Sequence, residues 1–227
     1  PLQAIGNGLK AAWESYVTLF SGAFGTPSKI AAALESGDAL AIRRAFNPFF
    51  ESLVKSIPYM FAGLAVALGF RAGVFNIGVE GQIFMGGIFS VWVGYTFKGL
   101  PPIIHIPFAF LAGALGGALW GFIPGLLKAK TGGTEVINTI MMNFIALALV
   151  SYFTQYHYRI PGDPILQSAP ISANAHIPRF GRIVPGFPER IPLNLAFVLA
   201  LVACALVYVL LWRTKWGYEL RAPGASP

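Results

Sequence analysis

The chain has 227 residues, 56% hydrophobic and only 11% charged, with a net charge of +7 and a mean hydropathy of +0.65. Soluble domains carry about 25% charged residues, so this composition excludes an ordinary soluble fold and points to a membrane protein. The basic residues lie singly or in pairs between apolar runs, not in a stripe with interleaved aromatics, which argues against a nucleic-acid partner. The single cysteine, Cys204, allows no disulfide within the chain and reads as a small hydrophobe in a packed helix. His105, His157 and His176 are far apart and lack metal-ligand spacing, so no metal site is expected. Residue 1 is a proline and the first segment contains Lys10 and Glu14, which is not a secretory signal. The chain reads as the middle of something longer, cut at both ends.

Residues 1–51 mix apolar stretches with charge. The stretch 9–24 carries Lys10, Trp13 and Glu14, and 30–46 carries Glu35, Asp38, Arg43 and Arg44. Both read as amphipathic helices at a membrane interface, with a soluble linker over 21–38 as the competing reading. A membrane span needs about 20 apolar residues. Five stretches qualify or nearly do: 53–70, 82–97, 107–127, 135–156 and 192–212. The second is short unless it continues back into the polar turn before it. In the third, Ala109, Gly113, Gly117, Gly121 and Gly125 recur every four residues. They form a stripe of small residues that lets another helix approach closely in lipid.

Between the first two spans lies Arg71-Ala72-Gly73-Val74-Phe75-Asn76-Ile77-Gly78-Val79-Glu80-Gly81-Gln82. Ionisable residues in or beside a span are costly, about 2.5–3.5 kcal/mol at the helix centre, and usually functional. Its three glycines permit tight backbone. Glu80 reads either as a proton carrier or substrate ligand, or as an acid suited to a helix start. The fourth span follows Gly132-Gly133-Thr134-Glu135, where Thr134 suits a helix cap and Glu135 its positive end. On that helix Asn138 and Met142 share one face, and Thr139 and Asn143 another. Such amides either glue helices together or line a translocation path. No Gly-x-Ser-x-Gly, His-Glu-x-x-His or phosphate loop is present, so no enzymatic site is expected.

The loop over 157–191 holds Pro161, Pro164, Pro170, Pro178, Pro185 and Pro188, with Arg159, Arg179, Arg182 and Arg190 against Asp163 and Glu189. It cannot be one helix and belongs outside the hydrocarbon. The last fifteen residues mix Trp216, Tyr218 and Leu220 with both charge signs and suit a short amphipathic segment lying on a partner. If they are cytoplasmic, that side also holds Arg71, Lys128, Lys130, Arg213, Lys215 and Arg221; the short basic pairs favour this orientation.

Three segments together carry a family resemblance. The run from Phe70 to Gln82 resembles the hallmark of permease subunits of bacterial ABC importers of the branched-chain amino acid and ribose type, within the nucleoside and simple-sugar branch. Thr134-Glu135-Val136-Ile137-Asn138-Thr139-Ile140-Met141-Met142-Asn143 resembles that branch's second hallmark. Thr214-Lys215-Trp216-Gly217-Tyr218-Glu219-Leu220-Arg221-Ala222 resembles its cytoplasmic coupling segment. The resemblance implies an all-α, polytopic transmembrane bundle with broken helices: an outward-facing interfacial segment at 1–51, a permease core at 52–212 with its outer loop at about 157–191, and a cytoplasmic coupling segment at 213–227. It implies a multi-pass subunit of the bacterial inner membrane that imports a nucleoside or simple sugar by alternating access. Its partners would be a second permease, two ATPase subunits and an external substrate-binding lipoprotein. The subunit itself would do no covalent chemistry and hold no cofactor, ATP and magnesium residing on the ATPase. Trp216, Gly217, Leu220, Arg221 and Gly224 are the expected ATPase-coupling residues. Phe75, Asn76, Glu80, Gln82, Asn138 and Asn143 are the expected path residues, and Gly113, Gly117, Gly121 and Gly125 the packing stripe. Pro223 departs from the family pattern and is expected to bend or shorten the coupling helix. The alternative is an ion-coupled secondary transporter with Glu80 as its proton or cation site.

Overall fold

The structure, a computed structural model, describes residues 2–160, 162, 165, 167–184 and 191–224. Pro161, Asp163, Pro164, Pro185, Pro188, Glu189 and Arg190 of the outer loop, and 225–227 of the coupling segment, lie outside the described residues. In chain order the helices are α1 (Leu2–Phe24), α2 (Pro27–Ser36), α3 (Ala39–Arg71), α4 (Val79–Thr96), α5 (Pro102–Thr131) and α6 (Glu135–Tyr156). A 3-10 turn at Ala173–Ala175 precedes α7 (Phe180–Ile183), α8 (Leu195–Arg213) and α9 (Lys215–Gly224). Among the described residues the only β pairing is two isolated antiparallel bridges, Arg159 with Ser168 and Arg179 with Asn194. The fold is the expected all-α membrane bundle: α3, α5, α6 and α8 are long and apolar enough to cross a bilayer.

Two boundaries differ from the sequence expectation. The stretch 30–46 is not one helix. Gly37 takes a left-handed conformation (φ 63°) that ends α2, a conformation glycine adopts at little cost. The Asp38 carboxylate then accepts the N–H of Leu40 at 3.0 Å and of Ala41 at 3.2 Å, which starts α3 afresh. From there α3 runs 33 residues through Pro48 and Pro58, about 50 Å at 1.5 Å per residue. The second difference is α4. It continues back into the polar turn to Val79, the extension its shortness called for, and is 18 residues long, but it is not among the four membrane-length apolar helices. Glu80, Gln82 and its glycines lower its apolarity. Protein covers part of it: Val79, Gly81, Met85, Val93 and Gly94 are buried, while Glu80 is exposed.

The chain divides into two compact units, and α3 and α8 each contribute to both. The first unit takes in the chain up to Tyr59 with Pro178–Val202. There the Ser52 hydroxyl donates to the Ala23 carbonyl at 2.7 Å, tying α3 to the end of α1. Gly25 (φ 92°) lies where a Cβ would come within 2.7 Å of the Ala45 carbonyl. On α1, Ile5, Leu9, Trp13, Tyr16 and Phe20 are exposed, the apolar stripe that an interfacial helix presents.

The second unit takes in Met60–Ile177 and the chain from Ala203. Its centre is α4 packed on α5 and α6. Val93, Ala109 and Ala112 are buried together with Phe89 against them. His105 is fully buried, with Nε2 3.2 Å from the Val93 carbonyl. The start of the outer loop folds back over this end of the unit: the Ser172 N–H donates to the Gly94 carbonyl at 2.9 Å, and the Asn174 side-chain amide donates to the Leu100 carbonyl at 3.0 Å.

Candidate functional site: a glycine-rich turn held at the opposite end of the second unit

Between α3 and α4, residues 72–78 are not helical, so their backbone groups need other partners. Much of that demand is met by one face of α6. The Glu135 carboxylate accepts the Phe75 N–H in a short hydrogen bond. The Thr139 hydroxyl accepts the Ile77 N–H at 3.3 Å. The Asn143 amide accepts the Gly81 N–H at 2.8 Å and donates to the Ile77 carbonyl at 3.1 Å. These three side chains are four residues apart and so stack along one helix face. Within the turn, Asn76 Oδ1 accepts the Gly78 N–H at 2.8 Å, and the Val74 N–H returns to the Gly69 carbonyl at 2.9 Å. Lys128, from the last turns of α5, forms an ion pair with Glu135.

The ladder also sets depth. Asn143 lies 8 residues into α6, about 12 Å from its start, and the Gln82 side chain lies against Gly121, 10 residues or about 15 Å from the end of α5. The turn therefore rises into the bundle. Irregular backbone is tolerated at depth where protein groups satisfy it, and here the α6 side chains do so, although Val74, Phe75 and Ile77 keep exposed side chains.

One expectation about this region is corrected: Thr134 stands at the N-cap of α6 but makes no capping hydrogen bond through its side chain. Glu135 stands in the first turn of α6 as expected and is also shared between Lys128 and the turn. Of the expected path residues, Asn143 is occupied in holding the turn. Phe75 packs on Phe70, ring centroids 4.7 Å apart. Asn138 is half-buried and points elsewhere: its amide nitrogen lies near Gly133. Glu80 is exposed in the first turn of α4, and among the described residues it has no ion-pair partner. Asn76 and Gln82 do line a cavity, a groove of about 700 Å³ between α3, α4 and α5 that also includes Gly113, Gly117 and Gly121. The small-residue stripe is the contact between α4 and α5. A Cβ at Gly113 would lie 3.2 Å from the Gly86 carbonyl, and one at Gly117 3.2 Å from the Gln82 carbonyl. Gly125 has open space around it.

The end of the chain comes to the same turn. The Thr214 hydroxyl accepts the Gly217 N–H at 3.1 Å and folds α9 sharply back from α8. Gly217 is buried, and a Cβ there would overlap the Leu210 and Leu211 carbonyls. Pro223 does not shorten α9, which runs through it to Gly224; so near the end of a helix, its missing N–H and ring cost little. Gly224 packs against the turn, where a Cβ would meet the Arg71 carbonyl and lie 2.8 Å from the Gly73 nitrogen. Arg71 and Arg221 both lie over the Trp212 ring, at 5.2 and 4.4 Å from its centroid. Such cation–π contacts contribute about 0.5–1 kcal/mol each at exposed sites. Arg221 also donates through Nε to the Gly217 carbonyl at 3.2 Å, so it faces inward. Trp216 and Leu220 are exposed and, with Ala72, Glu219 and Pro223, border a shallow cavity of about 420 Å³.

Trp212, Trp120 and Thr139 are the residues that sequence reasoning missed or undervalued. The Trp120 indole N–H donates to the Met142 carbonyl at 3.3 Å and ties α5 to α6. The four-residue rhythm of Glu135, Thr139 and Asn143 was the available signal for the ladder. Nothing in sequence marks the two tryptophans.

Residues 49–227 match the model of a protein family described as branched-chain amino acid transport system / permease component. The chain belongs to this permease family. Similar curated proteins include a guanosine ABC transporter permease protein of Bacillus subtilis, 41% identical over 176 residues, which are 77% of this chain and 48% of that protein. A glucose ABC transporter permease protein of Haloferax volcanii is 36% identical over 78% of this chain and 47% of its own length. A nucleoside ABC transporter permease protein of Lactococcus lactis is 31% identical over 78% of this chain and 49% of its own length. The chain thus spans about half the length of the curated relatives it matches. No solved structure matches it. The part matched to the permease family contains all three converging segments, the glycine-rich turn, the α6 face and α9.

Proposed function

We propose that the chain is the pore-forming permease subunit of an ATP-driven importer for a nucleoside or simple sugar in the bacterial inner membrane. The supporting observation is the convergence on one turn of α9, which reaches it through Gly224, and of α6, which holds it through Glu135, Thr139 and Asn143. A push on α9 thereby reaches the start of α4 without passing through a flexible linker. Mechanical coupling between bistable packings needs such a rigid connection. In this reading the exposed Trp216 and Leu220 dock on a partner ATPase, which binds ATP and magnesium. A second permease subunit completes the pore, and an external binding lipoprotein delivers the solute. The chain performs transport rather than catalysis. Curated relatives named for guanosine, nucleoside and glucose transport support the substrate class. The exposed Glu80, without an ion-pair partner among the described residues, gives the ion-coupled alternative little to stand on.

The test is uptake by the assembled importer in proteoliposomes. Uptake should require ATP hydrolysis and be absent under an ion gradient alone; uptake driven by the gradient without ATP overturns the reading. Arg221→Glu should leave assembly and ATP hydrolysis in place while transport falls, because a carboxylate is repelled by the Trp212 ring face that now holds the guanidinium.

A further inference from the structure

We propose that the groove between α3, α4 and α5 is a nucleoside-binding station on the translocation path, with Asn76, Gln82 and Ser90 as its hydrogen-bonding groups. This rests on the importer reading above. The groove measures about 700 Å³, within the range of small-molecule sites, about 300–1,000 Å³. Three of its polar groups are unspent. The Gln82 amide and the Ser90 hydroxyl have no hydrogen-bond partner among the described residues. Asn76 uses Oδ1 on the Gly78 N–H and leaves its amide nitrogen free. Ser90 differs in this from Ser15, Thr18 and Ser151, helical hydroxyls that donate to the carbonyl one turn back. In a helix bundle within a bilayer, polar groups left without protein partners need water or a solute.

The rest of the lining defines the solute. Among the described residues no charged side chain borders the groove, and its walls are mostly small and apolar, so the ligand is neutral. Phe61 and Phe110 contribute aromatic lining from two different helices, which suits a flat ring. Gln82 and Ser90 are 8 residues apart on α4, about 12 Å. The groove therefore has polar groups at two levels with apolar surface between them. A nucleoside has that distribution: a hydrogen-bonding base edge, a flat apolar face, and a ribose. A hexose carries hydroxyls all round and would leave most of them facing apolar wall. Gly121 has the role of making room, since a Cβ there would lie 2.9 Å from the Gln82 amide nitrogen.

The experiment uses the full importer in proteoliposomes, carrying Gly87→Cys in a Cys204→Ser background. Gly87 lines the groove, and a Cβ there meets nothing within 4 Å. A small hydrophilic methanethiosulfonate should label this thiol, guanosine should slow the labelling several-fold, and glucose at the same concentration should not. Gln82→Leu should raise the KM for guanosine uptake up to about ten-fold, the effect of one lost neutral hydrogen bond, while the variant still assembles and hydrolyses ATP. A thiol that no hydrophilic reagent reaches means that a helix or lipid fills the groove, and overturns the proposal. Labelling that guanosine leaves unchanged, in vesicles whose wild-type importer takes guanosine up, overturns the site but spares the importer reading. Equal protection by glucose overturns the nucleoside assignment. A wild-type importer that takes up no guanosine under ATP overturns the assignment at its root.

Discussion

At the scale of single residues, the turn between α3 and α4 depends on side chains about sixty positions away. Glu135 is the clearest case, because its carboxylate serves the Phe75 N–H and Lys128 at once. Glu135→Gln keeps an acceptor for the N–H and gives up the ion pair; Glu135→Ala gives up both. A backbone N–H left unsatisfied costs about 1–3 kcal/mol, whereas a half-exposed ion pair contributes about 0–1 kcal/mol. The expected order of thermal stability in detergent is therefore wild type, then Gln close behind, then Ala well below. An Ala variant as stable as Gln would mean that the turn does not depend on this bond. Thr139→Val tests the next rung: it keeps the volume of a buried side chain but removes the acceptor for Ile77. The spacing of Glu135, Thr139 and Asn143 was legible in the sequence as one helix face. Their partners were not, because a side chain's choice of a distant backbone group is made by the tertiary fold. For the same reason the intramembrane amides looked alike in sequence, while in the structure Asn143 is structural and Asn76 and Gln82 border a groove.

At the scale of elements, two close backbone approaches of α9 are made by glycines, and each closes a gap that a side chain would hold open. Gly217 lets α9 fold back beneath α8, and Gly224 lets it rest on the turn at Gly73, which is itself left-handed (φ 74°). Gly73→Ala faces a left-handed penalty of about 1–2 kcal/mol and a Cβ 3.1 Å from Gly224. Gly224→Ala meets the Arg71 carbonyl. Both substitutions should separate α9 from the turn without removing either element. In the assembled importer ATP hydrolysis should then continue while solute uptake falls. Uptake that stays in proportion to hydrolysis in both variants would show that force does not pass through this contact. Sequence reading located the spans in α5, α6 and α8 well, because long apolar runs report themselves. It marked α4 as too short for a span unless it continues back into the polar turn, as it does from Val79, and it ran the α2–α3 break together. At Gly37 one left-handed residue, backed by the Asp38 cap, outweighs a periodic pattern.

At the scale of the whole molecule, the contacts of the second unit gather several of its cations at one end, while Lys98 lies over Tyr95 at the other. Arg71 and Arg221 meet at Trp212, Arg213 and Lys215 flank the corner into α9, and Lys128 reaches Glu135 beside the turn. These cations therefore share one end of the unit. The outer-loop residues Ser172 and Asn174 bond to the opposite end, where α4 stops and α5 begins. Short basic segments near span ends are retained on the cytoplasmic side, so the turn and α9 should face the cytoplasm and residues 168–176 the outside. Single cysteines at two exposed positions test this in a Cys204→Ser background: Lys130→Cys at the end of α5 and Ser168→Cys in the outer loop. A membrane-impermeant thiol reagent should label the Ser168 variant in intact spheroplasts and the Lys130 variant only in inverted vesicles. The reverse pattern would turn α9 away from any cytoplasmic ATPase and with it remove the coupling role. Labelling of both variants from one side would mean that α6 does not cross the bilayer, although its 22 residues, about 33 Å of helix, are long enough to do so.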